Sequence, residues 1–271
     1  MRKWFLASLF FLFFSIHIGK ACSVLYYIDK DTGKIYVANN EDYWYDTETY
    51  IQIEPRSKKS LARLWYGWKD FAQGGVNEVG LFFDGAVTPE QEIPDTFKKI
   101  KGNLGDDILA SCKTVEEAIA YIEQRKIGLK NAHMMFGDAN GKAVVIEWVN
   151  GEQKIIEIKD NRLIMTNFLL ADTTQENHTC PRYNAIEKEI GRIEKEKKTI
   201  DIKTIGNTMA RAVQVPQQDK EGRTGGTLYT SVINITDMQF VLVYKMDNKK
   251  ITILDLNSEF EKRKKRKIKL D

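Results

Sequence analysis

Residues 4–18 form an apolar run preceded by Arg2 and Lys3; the run stops at Gly19-Lys20-Ala21, and Cys22 follows at the head of a strand-like stretch. A positive start, an apolar middle and small residues before a cut are the layout of a secretory leader. The run is short for a membrane span, which needs ~20 residues. No other stretch of the chain is long and apolar enough to span. The expected cut after Ala21 constrains all that follows. It makes Cys22 the first residue of the folded chain, and the first strand must start at the chain end. A thiol and a free α-amino group then share one residue, a nucleophile with its own base.

The cut also changes the charge argument. The chain carries 41 Lys and Arg against 38 Asp and Glu, a formal net charge of +3. Residues 1–21 hold Arg2, Lys3 and Lys20 and no acid, so the remainder balances at 38 against 38. A basic, nucleic-acid-binding body is therefore not expected. The cysteines are Cys22, Cys112 and Cys180. An odd count leaves one thiol unpaired, and whether Cys112 and Cys180 pair stays open. After the leader the histidines are His133 and His178, a thin basis for a Cys–His enzyme. No Cys/His cluster has zinc spacing, and no phosphate or dinucleotide fingerprint occurs. Neither metal nor cofactor is expected.

Strand signals at 22–28 and 34–39, with a turn cluster at 29–33, predict a hairpin that brings Asp42 back toward Cys22. Further strands are expected at 50–54 and 64–71. Glycines 74, 75, 80 and 85 bracket an apolar run and predict a tight turn feeding a buried strand. A helix is expected at 106–112. Thr114 and Glu117 have capping-box spacing and open a second helix to about residue 124. Strands follow at 133–136, 143–149, 154–158 and 162–168, with Asn150-Gly151 as a hairpin turn. Helices at 183–197 and 202–213 precede strands at 227–234, 239–245 and 250–255. Strands, then helices, then strands again make an α+β pattern with mainly antiparallel sheets. The organisation is a leader at 1–21, one domain at 22–258 and a basic tail at 259–271. That tail is expected to be a solvated, frayed end. The aromatics Trp65, Tyr66, Trp68, Phe71, Phe82 and Phe83 read as core rather than as an acyl pocket.

Cys22, Asn39-Asn40-Glu41-Asp42-Tyr43, Asn77-Glu78-Val79-Gly80-Leu81, Thr166-Asn167 and Pro181-Arg182-Tyr183 stand in an order and spacing that resembles one family. These are the N-terminal-nucleophile hydrolases of the choloylglycine hydrolase, penicillin V acylase and acyl-coenzyme A:6-aminopenicillanic acid acyltransferase group, the linear amide C–N hydrolases. The resemblance runs from residue 22 to residue 256. It implies a four-layer α-β-β-α sandwich and cleavage of a linear, non-peptide amide of a small N-acyl substrate through a thioester. By position, Cys22 resembles the nucleophile and Asp42 the aspartate that bonds the α-amino group. Asn167 resembles the asparagine of the oxyanion hole. Arg182 resembles the arginine that supports the nucleophile's charge state. The chain departs from the pattern twice. Asn39 stands where bile-salt hydrolases and many relatives have Arg, which counts against bile salts. Val87 lies near the position of a second Asn, or Tyr in some acylases, and offers only its backbone N–H to an oxyanion. An acyltransferase with the same site is the nearest alternative. An exported binding protein with a lipidated or inert Cys22 is the alternative of another class. The expected setting is an exported protein with a small-molecule partner, no nucleic acid and no membrane span after the leader, with self-association left open.

Overall fold

The computed structural model describes residues 22–172 and 180–271. The leader, and the polar loop with His178, lie outside them. The chain opens with the hairpin β1 (Ser23–Ile28) and β2 (Ile35–Trp44). A meander follows: β3 (Thr49–Glu54), β4 (Arg63–Trp68), β5 (Phe71–Asn77) and β6 (Phe82–Val87). The short β7 (Lys98–Lys99) leads to helices α1 (Leu104–Ser111) and α2 (Val115–Gln124). Next come the short β8 (Ile127–Gly128), then β9 (Ala132–Gly137), β10 (Ala143–Val149), β11 (Glu152–Glu157) and β12 (Arg162–Met165). Helices α3 (Pro181–Lys195) and α4 (Ile202–Met209) follow. The chain closes with the short β13 (Gln217–Gln218), β14 (Thr224–Asn234), β15 (Gln239–Tyr244), β16 (Ile251–Asp255), α5 (Leu256–Glu261) and β17 (Arg266–Leu270).

Side chains alternate faces along a strand, and here both faces are apolar. In β1, Val24 and Tyr26 face one core while Leu25 and Tyr27 face another. In β2, Ile35 and Val37 share the first core, Tyr36 and Ala38 the second. A sheet buried on both sides needs a second sheet on one face and helices on the other. The first sheet runs β12-β1-β2-β14-β15-β16, with β13 beside β14; the second runs β11-β10-β9-β6-β5-β4-β3-β17. Their inner faces meet through Val24, Val37, Ile51, Leu64, Phe82 and Phe240. Ile108 and Val115, on α1 and α2, pack on the outer face of the second sheet against Phe83 and Phe136. Ile186 and Ile205, on α3 and α4, pack on the first sheet against Leu25 and Tyr27. The result is the four-layer α-β-β-α sandwich, with both sheets antiparallel.

Local signals act as expected at two places. Thr114 Oγ1 accepts from Glu117 N at 3.3 Å, and the Glu117 carboxylate accepts from Lys113 N at 2.7 Å, closing the start of α2. Asn150 and Gly151 turn β10 into β11 with φ of 52° and 79°, the left-handed pair such a hairpin needs.

Three expectations give way. Residues 64–71 are not one strand: the chain turns back at Lys69 and Asp70, both at positive φ. No glycine marks that turn. Tyr50 OH, from β3, holds it by accepting from Asp70 N at 2.8 Å and donating to Asp70 Oδ1 at 2.7 Å. Gly74 and Gly75 lie inside β5, not in a turn. The basic tail is not frayed: residues 266–270 pair antiparallel with β3 as the last strand of the second sheet, from Arg266–Ile53 to Leu270–Thr49. Ile268 and Leu270 anchor it to the inner core while its lysines face out.

Candidate active site

Cys22 stands one residue before β1, and the hairpin register fixes what faces it. Ser23 pairs with Asn40 and Val24 with Asn39, which sets Glu41 opposite Cys22. Residues directly opposed across a pair share one face and touch. Cys22 Sγ accordingly donates to Glu41 Oε1 at 3.3 Å, both residues buried. Alternation sends Asn39 and Glu41 between the sheets, and Asn40 and Asp42 toward the helices. Asn40 Nδ2 donates to the Met209 carbonyl at 2.8 Å. Asp42 accepts from Thr227 Oγ1 at 2.6 Å and from Arg182 Nη1 at 3.4 Å.

The second sheet completes a polar island around the sulfur. Asp84, on the inner face of β6, accepts from Asn39 Nδ2 at 2.7 Å and from Tyr66 OH at 3.0 Å. Gly74 makes room for it, since a Cβ there would collide with the Asp84 carboxylate and the Tyr66 ring.

Arg182 enters from the first turn of α3. Its Nη1 donates to the Cys22 carbonyl at 3.0 Å and to Ser23 Oγ at 3.2 Å; its Nη2 donates to Asn167 Oδ1 at 3.0 Å. Asn167 Nδ2 in turn donates to the Val87 carbonyl at 2.8 Å. One chain of bonds thus joins Cys22, Arg182, Asn167 and Val87. In an antiparallel strand the N–H and C=O of one residue point to the same side, so the Val87 N–H faces away from β9 with its carbonyl. Asn39 bonds Asp84 rather than the sulfur.

The electrostatics differ from expectation at one point. Arg182 lies on the Cys22 carbonyl, and the sulfur is faced by acids. Burial pushes the Cys22 thiol well up, and the Glu41, Asp42 and Asp84 carboxylates push it further. Arg182 is thus placed on the Cys22 carbonyl rather than beside the sulfur. Burial also raises Glu41 and Asp84. It lifts Asp42 to about 7, outweighing the Thr227 hydroxyl and the Arg182 guanidinium.

Sequence reasoning passed over Glu41, Asp84, His133 and Glu147. Glu41 was within reach of a register count: a turn at 29–34 that pairs Ser23 with Asn40 puts it opposite Cys22. His133 and Glu147 were visible as polar residues in the apolar strands β9 and β10. Both are fully buried. His133 Nδ1 meets Glu147 Oε2 at 3.0 Å and Nε2 donates to the Thr166 carbonyl at 2.6 Å. The Glu147 carboxylate also accepts from Leu170 N at 3.1 Å and Ala171 N at 2.6 Å. This pair clamps residues 166–171, the segment that presents Asn167.

A cavity of about 300 Å³ opens on Cys22 and Glu41, walled by Trp68, Phe71, Phe83 and Leu104, with Val87 and His133 also lining it. Of the aromatic cluster, Trp65, Tyr66 and Phe82 are core alone, Trp68 and Phe83 are core residues that also line the cavity, and Phe71 is an exposed residue on its wall. Cys112 and Cys180 are both free thiols. No helix among the described residues is long and apolar enough to cross a membrane.

A family profile for acyl-coenzyme A:6-aminopenicillanic acid acyl-transferase matches residues 29–249. That span includes Asp42, Val87, Asn167 and Arg182 and starts after Cys22. A penicillin V acylase of Pectobacterium atrosepticum is 26% identical over 188 residues, 55% of this chain and 50% of that protein. The match thus spans about half of that relative's length. A variant of the conjugated bile acid hydrolase from Clostridium perfringens has a TM-score of 0.72 at 19% identity, over 92% of this chain and 97% of that one. Penicillin V acylase from Agrobacterium tumefaciens has a TM-score of 0.69 at 18% identity, over 92% and 91%. Likeness at these identities speaks for the fold, which is that of the N-terminal-nucleophile hydrolases.

Proposed function

The chain belongs to the acyl-coenzyme A:6-aminopenicillanic acid acyl-transferase family, and on that premise we propose that it is an exported cysteine amidase cleaving a linear, non-peptide carbon–nitrogen bond of an N-acyl substrate. One observation carries the reading. Cys22 lies on an apolar cavity, and its own carbonyl is tied through Arg182 to Asn167 and so to Val87 at the cavity wall.

In this reading, cleavage after Ala21 leaves a free α-amino group on Cys22, oriented by Asp42. The sulfur attacks the amide carbonyl and a tetrahedral oxyanion forms. The Asn167 amide exchanges its bond to the Val87 carbonyl for the oxyanion, and the Val87 N–H is the second donor. Losing one such donor costs about 3–4 kcal/mol in comparable sites. The α-amino group gives a proton to the departing amine. Water then resolves the thioester. The apolar walls suit an alkyl or aryl acyl group. Relatives named for penicillin V and conjugated bile acids support the substrate class, while Asn39 in place of Arg counts against bile salts.

The family's own description favours a second reading, in which an amine rather than water takes the acyl group. A transfer product that accumulates on adding an amine separates the two. A lipidated Cys22 fits the fold poorly, since the residue is only 4% exposed.

The test is intact mass and N-terminal sequencing of the exported protein, followed by an N-acyl amide panel against wild type and Cys22→Ala. The expected result is an unmodified N-terminal Cys22, turnover by wild type and none by a folded Cys22→Ala. A retained leader, a lipid on Cys22 or turnover by Cys22→Ala would sink the reading.

A further inference from the structure

We propose that Glu41 is a catalytic residue: it takes the proton of the Cys22 thiol as the carbon–sulfur bond forms. The proposal rests on the reading of Cys22 as nucleophile and goes beyond it, because that reading gives the proton work to the α-amino group alone.

The geometry carries the argument. Glu41 Oε1 is the acceptor of the Sγ–H bond at 3.3 Å. Its other oxygen, Oε2, is buried and has no hydrogen-bond partner among the described residues. Glu41 also lines the cavity beside Cys22. The contact is built into the hairpin, since the register that pairs Ser23 with Asn40 sets Glu41 opposite the sulfur. The groups facing Glu41 are Cys22 ahead of β1, Asn39 and Asp42 on its own strand, Asp84 from β6, Tyr66 from β4 and Tyr229 from β14. All of these are neutral or acidic. The cation that meets the cluster, Arg182, does so at Asp42 and at the Cys22 carbonyl. Burial and the neighbouring acids hold the sulfur toward its thiol form. Its proton leaves only when a base in contact takes it during attack, and Glu41 is in contact.

The proton count closes with two carriers. In acylation, Sγ bonds to the carbonyl carbon and its proton passes to Glu41 in its carboxylate form, which burial shifts to higher pH than an ordinary carboxylate, so the step gains strength toward alkaline pH. The α-ammonium of Cys22 gives a proton to the leaving nitrogen, and the C–N bond breaks. In deacylation, water gives a proton to the α-amine as its oxygen attacks the thioester. The C–S bond breaks, and the sulfur recovers its proton from Glu41.

The experiment uses the processed protein with Glu41→Gln, which keeps shape and removes the base. Three quantities are read: kcat and KM on an N-acyl amide that the wild type turns over, the pH profile of Cys22 alkylation by iodoacetamide, and the melting temperature. The expected result is opposite movement. Turnover falls ~100-fold or more, the scale of a lost general base, with KM little changed. The alkylation profile shifts to lower pH, because a buried negative charge beside the thiol is gone. A purely structural role would lower turnover and alkylation together, along with the melting temperature, and would overturn the proposal. So would wild-type kcat in the variant. If Glu41→Gln does not fold, Glu41→Asp replaces it with a different expected pattern, since it keeps the charge but withdraws it from the sulfur: kcat must drop without the shift of the alkylation profile to lower pH, and an unchanged kcat overturns the proposal. Cys22→Ala run alongside separates the two ideas. Turnover by Cys22→Ala fails the nucleophile, whereas a dead Cys22→Ala with a fully active Glu41→Gln fails Glu41 alone.

Discussion

The inner faces of β1, β2 and β14 change character within two turns of the pleat. At one end Val37 sits between Tyr26 and Ile233; one step along, Asn39 sits between Val24 and Ser231; one step further, Glu41 faces Tyr229 and, by continued register, Cys22. The strands and the pleat are the same at both ends. The first end is dry and joins Phe240 in the inter-sheet core. The second holds Asn39 Oδ1, Glu41 Oε2, Ser231 Oγ and Tyr229 OH, all buried and without partners among the described residues. A register irregularity between Thr227 and Tyr229 falls at this end. It turns the Thr227 hydroxyl toward Asp42 on one side while Tyr229 meets Glu41 on the other. Irregularities of this kind gather beside active sites, where they re-aim a side chain. Unmet polar groups cost stability. The contrast teaches that the dry end holds the sandwich together and the polar end gives up stability to keep a cluster of polar groups beside Cys22, where the proposed chemistry would take place.

The largest test of that contrast is Phe240→Ala at the dry end. A buried aromatic truncated in a packed core costs about 3–5 kcal/mol, to be read from urea unfolding. If the loss is under about 1 kcal/mol, the dry end does not hold the sandwich together. Next comes Asp42→Asn at the polar end. On the proposed mechanism it should lower kcat by about 100-fold through a misplaced α-amino group, with KM nearly unchanged and no comparable loss of stability. A rise in KM alone would make Asp42 a binding or structural residue.

The third test is pH. Asp42 keeps its proton when folded up to about 7, well above its ordinary range. Between those values the folded chain binds a proton that the unfolded chain has lost. Its contribution is therefore present on the acid side and is lost as pH rises through about 7. The melting temperature should fall between about pH 5 and pH 8, and Asp42→Asn should flatten that slope. A wild-type slope of opposite sign would contradict the burial argument. The smallest effect is Tyr229→Phe. Removing an unpartnered buried hydroxyl should leave stability unchanged or raise it by up to about 1 kcal/mol, where a loss of that size would reveal a bond at the polar end.

Much of the element order was legible from residues alone, and the four-layer arrangement came from the resemblance. Apolar, β-branched and aromatic runs between turn clusters marked strands, the Thr114–Glu117 spacing marked a helix start, and Asn150-Gly151 marked a hairpin. Each is a short-range rule, satisfied by neighbours in sequence. The resemblance pointed at Cys22, Asp42, Asn167 and Arg182, and the folded chain places Arg182 in contact with the other three. It could not say that Arg182 would hold a carbonyl rather than a sulfur, because that depends on how α3 seats against β1.

The sequence by itself thus determined most of the strands and helices and several of their turns, since these follow from local sterics and composition, while the leader junction and the resemblance pointed to the candidate nucleophile. Only the tertiary structure decided that Glu41 faces Cys22, that Asp84 reaches it from the other sheet, that His133 and Glu147 clamp the Asn167 segment, and that a basic tail ends as a strand beside β3. Each joins residues distant in sequence. Their pairing is fixed by register and layer packing, which no window of the chain contains.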